Sequence, residues 1–168
     1  IAHHHVRSGY TDAEGLAQLA TLAAAVTTEF ENVPAPSLAG LAERRPVAPG
    51  AAAVAICQDR GAEKAHFARS GVPCAPYALI ENAEQLDAVD ATLLPGILKT
   101  TRLGYDGKGQ RRVTTHTQLA AAWAELGSVS CVLEQMLPLA LELSVIVARA
   151  AAGDIVAFPV QHNLHRDG

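Results

Sequence analysis

The chain has 168 residues, 49% of them apolar, with a net charge of −4. That length suits one domain or parts of two, and the apolar share is enough for a packed core. The negative balance argues against a general nucleic-acid binder. No apolar run reaches the ~18 residues of a membrane span, and no signal peptide is visible. Cys57, Cys74 and Cys131 fit neither a zinc spacing nor a disulfide framework. They are expected to be small buried hydrophobes in a reducing, cytoplasmic protein. There is no initiator Met, and Ile1-Ala2 runs straight into His3-His4-His5, for which no further metal ligand lies at a useful spacing. The chain is expected to be a fragment of a longer protein.

Taken in order, Thr11-Asp12-Ala13-Glu14 is a capping box opening a helix striped with Leu16, Leu19, Ala20 and Ala23. Ala25 to Thr28 reads as a short strand. It leads into Glu29-Phe30-Glu31-Asn32-Val33-Pro34, which fits either a polar ligand loop at a strand end or a helix start capped by Asn32. A helix is expected to about Arg44. Arg45-Pro46-Val47-Ala48-Pro49-Gly50 is the clearest boundary, because two prolines and a glycine cannot continue a helix. A helical pair follows, Ala51 to Gln58 and Arg60 to about Ser70, with Asp59 as cap and Gly71 just past the end. Arg60 in a first turn opposes the helix dipole, so it serves either solvent or an anion.

Val72 to Pro76 is an extended link, and Tyr77 to Ile80 a strand. Asn82 caps a short helix with Leu86 and Val89 facing inward. A strand over Gly96 to Thr100 enters a loop with three glycines in six residues, Gly104 to Gly109, and Arg111-Arg112-Val113 returns from it. Thr115-His116-Thr117-Gln118 is another capping box, opening a helix whose face carries Leu119, Ala122, Trp123 and Leu126. Gly127 ends that helix. Cys131 to Gln135 reads as a strand. Glu142 starts a further one, Leu143 to Ala150, whose Val145-Ile146-Val147 run suggests burial on both faces. A Gly153-Asp154 turn leads to an expected core strand, Ile155 to Val160. His162 and His165 follow in a loop.

The stretch from Leu98 to Gln110 holds the strongest chemistry. Lys99, Arg102 and Lys108 can neutralise anionic oxygens, and the glycines let backbone N–H groups approach a ligand. It reads equally as a phosphate flap and as a hairpin turning at Asp106-Gly107. It is not a P-loop, because Gln110-Arg111 stands where Lys-Ser/Thr is required. Glu134-Gln135-Met136-Leu137 fits an edge strand whose backbone holds an adenine, and Glu142 fits a ribose carboxylate. Together these describe a nucleotide cleft between two small sheets, and no Ser/His/Asp or Cys/His set competes with it.

Five stretches in order resemble the ATP-grasp superfamily, and within it the family of 5-(carboxyamino)imidazole ribonucleotide synthases. They are Glu29 to Pro34; Gln58-Asp59-Arg60 with Glu63-Lys64; Leu98-Lys99 with Gly104-Tyr105-Asp106-Gly107-Lys108-Gly109-Gln110; Glu134-Gln135 with Glu142 to Val145; and Phe158 to Gly168. The resemblance implies a partial ATP-grasp fold of the α/β (α+β) class. Residues 1–48 would end a pre-ATP-grasp domain, and 49–168 would begin the ATP-grasp domain, with a lid subdomain at about 76–136. It implies ATP contacts from Arg60, Lys99, Gly104, Tyr105, Asp106, Gly107, Lys108, Gly109, Gln110, Glu134, Gln135, Met136, Leu137, Glu142 and His165. Lys99 is the catalytic residue in this set. Glu29, Glu31 and Asn32 would lie near the ribonucleotide substrate. The Mg²⁺ ligands are expected beyond residue 168.

The implied reaction is ATP-dependent carboxylation of 5-aminoimidazole ribonucleotide by bicarbonate, through carboxyphosphate, in purine biosynthesis. A homodimeric enzyme is implied, with no nucleic-acid or membrane partner. The alternatives are a sibling ATP-grasp ligase, such as a formate-using glycinamide ribonucleotide transformylase or a biotin carboxylase, or a non-catalytic nucleotide-binding fragment. The 168-residue chain alone is expected to be inactive.

Overall fold

The computed structural model describes residues 2–104 and 109–164. Two compact units divide after Gln135. The first begins with α1 (Ala13–Leu22) and α2 (Ala35–Ala42). α1 is capped by Asp12, whose carboxylate accepts from Gly15 N–H, so the cap falls one residue later than the expected Thr11. α2 has no side-chain cap. Asn32 does not serve as one, and Pro34 and Pro36 set the first turn instead.

The expected strand at Ala25 to Thr28 reduces to a single parallel bridge between Val26 and Val47. That bridge also ties down the proline-rich segment. The prolines end a helix, and α2 packs on α3 (Ala51–Cys57) across them.

α4 (Arg60–Arg69) is capped by Asp59 as the sequence indicates, its Oδ1 accepting from Gly61 and Ala62 N–H at 3.0 Å. The sheet of this unit contains β1 (Tyr77–Ile80), β2 (Gly96–Thr100), β3 (Gln110–Val113) and β4 (Cys131–Gln135), in the order β1-β4-β2-β3 and antiparallel throughout. Between the strands lie α5 (Ala83–Asp87), a 3₁₀ turn at Ala91–Leu93 and α6 (His116–Glu125). The caps of α5 and α6 are Asn82 and Thr115, as expected.

Strand side chains alternate between faces, so the register sorts them into two sets. Ile80, Leu98, Val113, Cys131 and Leu133 share one face and join Leu86, Val89, Leu93, Leu119 and Ala122 in the core. Trp123 packs against this cluster and donates its indole N–H to Val129 O at 2.8 Å, a structural role. Gly96 permits the close approach of β2, since a Cβ there would stand 2.7 Å from Leu93 O and 2.9 Å from Glu134 O. Of the three cysteines only Cys131 is buried, and burial pushes its thiol up to about 11. Cys57 ends α3 and Cys74 sits in the extended proline link, and both are exposed.

The second unit holds β5 (Glu142–Ser144), β6 (Val147–Arg149), β7 (Ile155–Ala157) and β8 (Gln161–Asn163), arranged as two separate antiparallel pairs, β5-β8 and β6-β7. Gly153 turns the β6-β7 hairpin at φ +98°. The single long strand expected from Leu143 to Ala150 is thus two short ones. Val145, Ile146 and Val147 are half exposed, as are Ile155 and Val156, rather than buried on both faces. A two-stranded pair has no second layer to bury its apolar side chains against.

Candidate functional site

The face of the sheet opposite the core carries the charges. Tyr77, Ile97 and Glu134 stand side by side across β1, β2 and β4, and Lys99 lies two residues along from Ile97. Lys99 Nζ donates to Glu134 Oε2 at 2.7 Å, and Lys64 Nζ, reaching down from α4, lies 3.0 Å from Glu134 Oε1. These side chains are only 21%, 17% and 11% exposed for Lys99, Glu134 and Lys64, so water screens the group weakly. The Lys64 ammonium also lies 5.1 Å from the Tyr77 ring centroid, a cation–π contact. Burial alone would raise the Glu134 carboxyl. Hydrogen bonds from Lys99 and then Lys64, with their charges, outweigh it and hold the group below the usual carboxylate range.

Arg60 opens α4 beside the glycine loop. Its backbone N–H donates to Thr101 O at 2.9 Å, and its guanidinium reaches Gly104 O at 3.5 Å. Asp59 adds a second tie, with Oδ2 accepting from Arg102 Nε at 3.0 Å. The loop therefore departs from the end of β2 clamped to the first turn of α4. At its far end Thr100 N–H donates to Gly109 O at 2.9 Å, and Lys99 pairs with Gln110, so the flanks of the loop form a hairpin. Tyr105, Asp106, Gly107 and Lys108, and likewise His165, lie outside the described residues.

A cavity of about 160 Å³ at this clamp is lined by Arg60, Glu63 and Gly104 on one side and by Glu31, Asn32 and Gln58 on the other. Glu29 borders a neighbouring cavity of about 500 Å³ with Glu31 and Asn32. Gln58 fixes this loop, its Nε2 donating to Glu31 O at 2.7 Å and to Val33 O at 2.6 Å. The structure thus brings Arg60 and Gly104 together with Glu31 and Asn32, which are some 30 residues apart in sequence from Arg60 and over 70 from Gly104.

One expectation needs correction. The strand ending in Glu134-Gln135 is not an edge, because β4 lies between β1 and β2. Gln135 N–H donates to Pro76 O, and its side-chain amide donates to Thr92 O. The Glu134 side chain is committed to the two lysines. Glu142 belongs to the second unit, where its Oε1 accepts from Asn163 Nδ2 at 3.0 Å, Asn163 being its cross-strand partner.

Lys64 and Gln58 had no individual role in the sequence reading, and Arg102, read there as able to neutralise anionic oxygens, is paired with Asp59 Oδ2 at 3.0 Å. The signal for Lys64 was its spacing. Positions 60 and 64 are one helical turn apart, so Arg60 and Lys64 share the face of α4 that looks onto the sheet. Among the described residues no three His, Cys, Asp or Glu side chains converge on a metal-sized site, and no helix is long and apolar enough to cross a membrane.

Residues 65–168 match the ATP-grasp domain family, and residues 1–58 match the ribonucleotide synthetase preATP-grasp domain. The chain is 42% identical over 165 residues to the N5-carboxyaminoimidazole ribonucleotide synthase of Pseudomonas aeruginosa, covering 98% of this chain and 46% of that protein. It is 40% identical over 171 residues to the Brucella melitensis protein of the same name, of which it spans 47%. Among solved structures, the N5-carboxyaminoimidazole synthetase of Staphylococcus aureus complexed with ADP superposes with a TM-score of 0.91 at 33% identity, covering 98% of this chain and 44% of that one. The chain thus spans a little under half the length of these relatives. With more than half of its residues matched to the domain, the chain belongs to the ATP-grasp family.

Proposed function

We propose that this chain is the nucleotide-phosphate part of an ATP-dependent ligase that carboxylates 5-aminoimidazole ribonucleotide with bicarbonate. The observation that carries this reading is the meeting of Arg60 and Gly104 with Glu31 and Asn32 around one cavity. It puts an anion-binding arginine within reach of a carboxylate and an amide suited to a polar small molecule. The names of the relatives in Pseudomonas and Brucella support the choice of substrate, and the ADP complex of the Staphylococcus protein supports the choice of nucleotide.

In this reading Arg60 and Lys99 take phosphate oxygens, with Gly104, Gly109 and Gln110 flanking them. Tyr105 to Lys108 and His165 join this set by sequence. Gln135, Met136 and Leu137 are assigned to the base, and Glu142 to the ribose, by sequence resemblance. Glu29, Glu31 and Asn32 face the ribonucleotide. Bicarbonate oxygen attacks the γ-phosphorus of ATP, releasing ADP and forming carboxyphosphate. The exocyclic amine then attacks the carboxyl carbon, expelling phosphate and losing a proton. In such a phosphoryl transfer, positioning and charge neutralisation do most of the catalysis, which suits lysine and arginine contacts held by a rigid sheet and helix. Mg²⁺ would neutralise phosphate oxygens. The working protein is taken to be a cytoplasmic homodimer.

The test is phosphate release from ATP by this protein. Release that requires bicarbonate and rises with 5-aminoimidazole ribonucleotide supports the reading. Release driven instead by formate and glycinamide ribonucleotide, or by biotin, would assign the chain to a sibling ligase.

A further inference from the structure

The Glu134 carboxylate is held by two ammonium groups, and this arrangement poses a charge problem for any phosphate site that uses Lys99. A lysine paired one-to-one with a carboxylate at 2.7 Å presents little net charge to a third group. Here the other carboxylate oxygen is taken by Lys64 at 3.0 Å, so the cluster of two ammoniums and one carboxylate keeps one positive charge. Lys64 is itself held in place. Its stem runs from α4, its ammonium lies over the Tyr77 ring at 5.1 Å, and its side chain is 11% exposed.

We infer that Lys64 is a positioning residue that keeps the Lys64–Glu134–Lys99 cluster net positive toward a bound polyphosphate, by supplying the countercharge that Glu134 would otherwise draw wholly from Lys99. Lys64 acts through Glu134 and need not touch the nucleotide. The inference rests on the reading of Lys99 as a phosphate contact. It distinguishes two lysines with one shared partner. Lys99 stands next to last in β2, five residues before the first glycine of the loop, whereas Lys64 reaches the sheet from α4 and is the less exposed of the two. Lowered protonation of Glu134 fits this arrangement, since both ammoniums stabilise its charged form.

The experiment is calorimetric titration of the chain with ATP and with AMP, for the wild type and three variants. Lys64→Met removes the countercharge while keeping the stem. It is expected to weaken ATP binding about tenfold, as loss of one weakly screened charge near a polyphosphate implies, and to leave AMP within about twofold. Lys64→Arg keeps the charge and is expected to preserve the preference for ATP over AMP. The double variant Lys64→Met/Glu134→Gln restores a single positive charge, and its ATP-to-AMP preference is expected to return to within about threefold of the wild type. An equal loss for ATP and AMP in Lys64→Met would mark a purely structural role and overturn the inference. So would unchanged ATP binding, or a double variant no better than Lys64→Met. If Lys99→Met leaves ATP binding intact in the same assay, the phosphate role of Lys99 fails, and the inference with it. Thermal unfolding of each variant separates misfolding from charge, because the double variant must recover selectivity whatever its stability.

Discussion

The two faces of the four-stranded sheet are built from the same four strands, yet they perform opposite tasks. One face packs Ile80, Leu98, Leu133 and Val113 against α5 and α6 with almost no exposure. The other places Lys99, Glu134 and Tyr77 under α4. Adjacent residues such as Leu98 and Lys99, or Leu133 and Glu134, belong to different faces because side chains alternate along a strand. The sheet therefore lets a dense core fix the geometry of a charged surface one residue away. The contrast means that substitutions on one face should act on folding and those on the other on ligand binding.

The largest effect is expected on the core face. Leu98→Ala should lower the unfolding free energy by about 2–5 kcal/mol, read from chemical denaturation, because the site is fully buried and cannot collapse around the gap. Lys99→Met, one residue along, should weaken ATP binding roughly hundredfold, near 2.7 kcal/mol, with a much smaller change in stability. A loss of stability as large as that of Leu98→Ala would break the contrast. Gly109→Ala should destabilise by about 1–2 kcal/mol, since φ is +74° and a Cβ would stand 2.7 Å from Thr100 Oγ1. Its effect tests whether the base of the glycine loop is as fixed as the sheet beneath it.

The smallest effect is on pH dependence. Glu134 has a native pKa below its ordinary value near 4.5, so its stabilisation is present above that value and is lost as pH falls through the lower native one. Glu134→Gln should therefore be less stable than the wild type at neutral pH. The two should converge as pH falls below about 4.5 and through the lower native value of Glu134. Parallel acid unfolding curves would contradict the pairing.

Much of this was legible in the sequence where local chemistry decides structure. Asp59, Asn82 and Thr115 cap their helices because a short side chain three residues ahead of free N–H groups needs no tertiary context. The strand pairing of Leu98 with Arg111 followed from the hairpin around the glycine loop. What failed depended on partners distant in sequence. Whether Cys131 to Gln135 is an edge or a centre is set by β1 and β2, which lie more than 30 residues before it. Val145 to Val147 read as buried from composition, but burial requires a second layer, and a two-stranded pair brings none. The cations Arg60 and Lys99, which the proposal uses, were legible as residue types. The sharing of Glu134 between Lys64 and Lys99 was not, because it joins a helix to two strands.

The central claim is that Arg60 and Lys99, held beside the core by α4 and β2, bind nucleotide phosphates. The most direct measurement is a crystal structure with a non-hydrolysable ATP analogue. The account predicts phosphate oxygens within hydrogen-bond distance of the Arg60 guanidinium and the Lys99 ammonium, with Lys64 still on Glu134. An analogue whose phosphates lie away from both cations, for instance in the cavity of about 570 Å³ lined by Val72 to Tyr77 and Thr92, would contradict it.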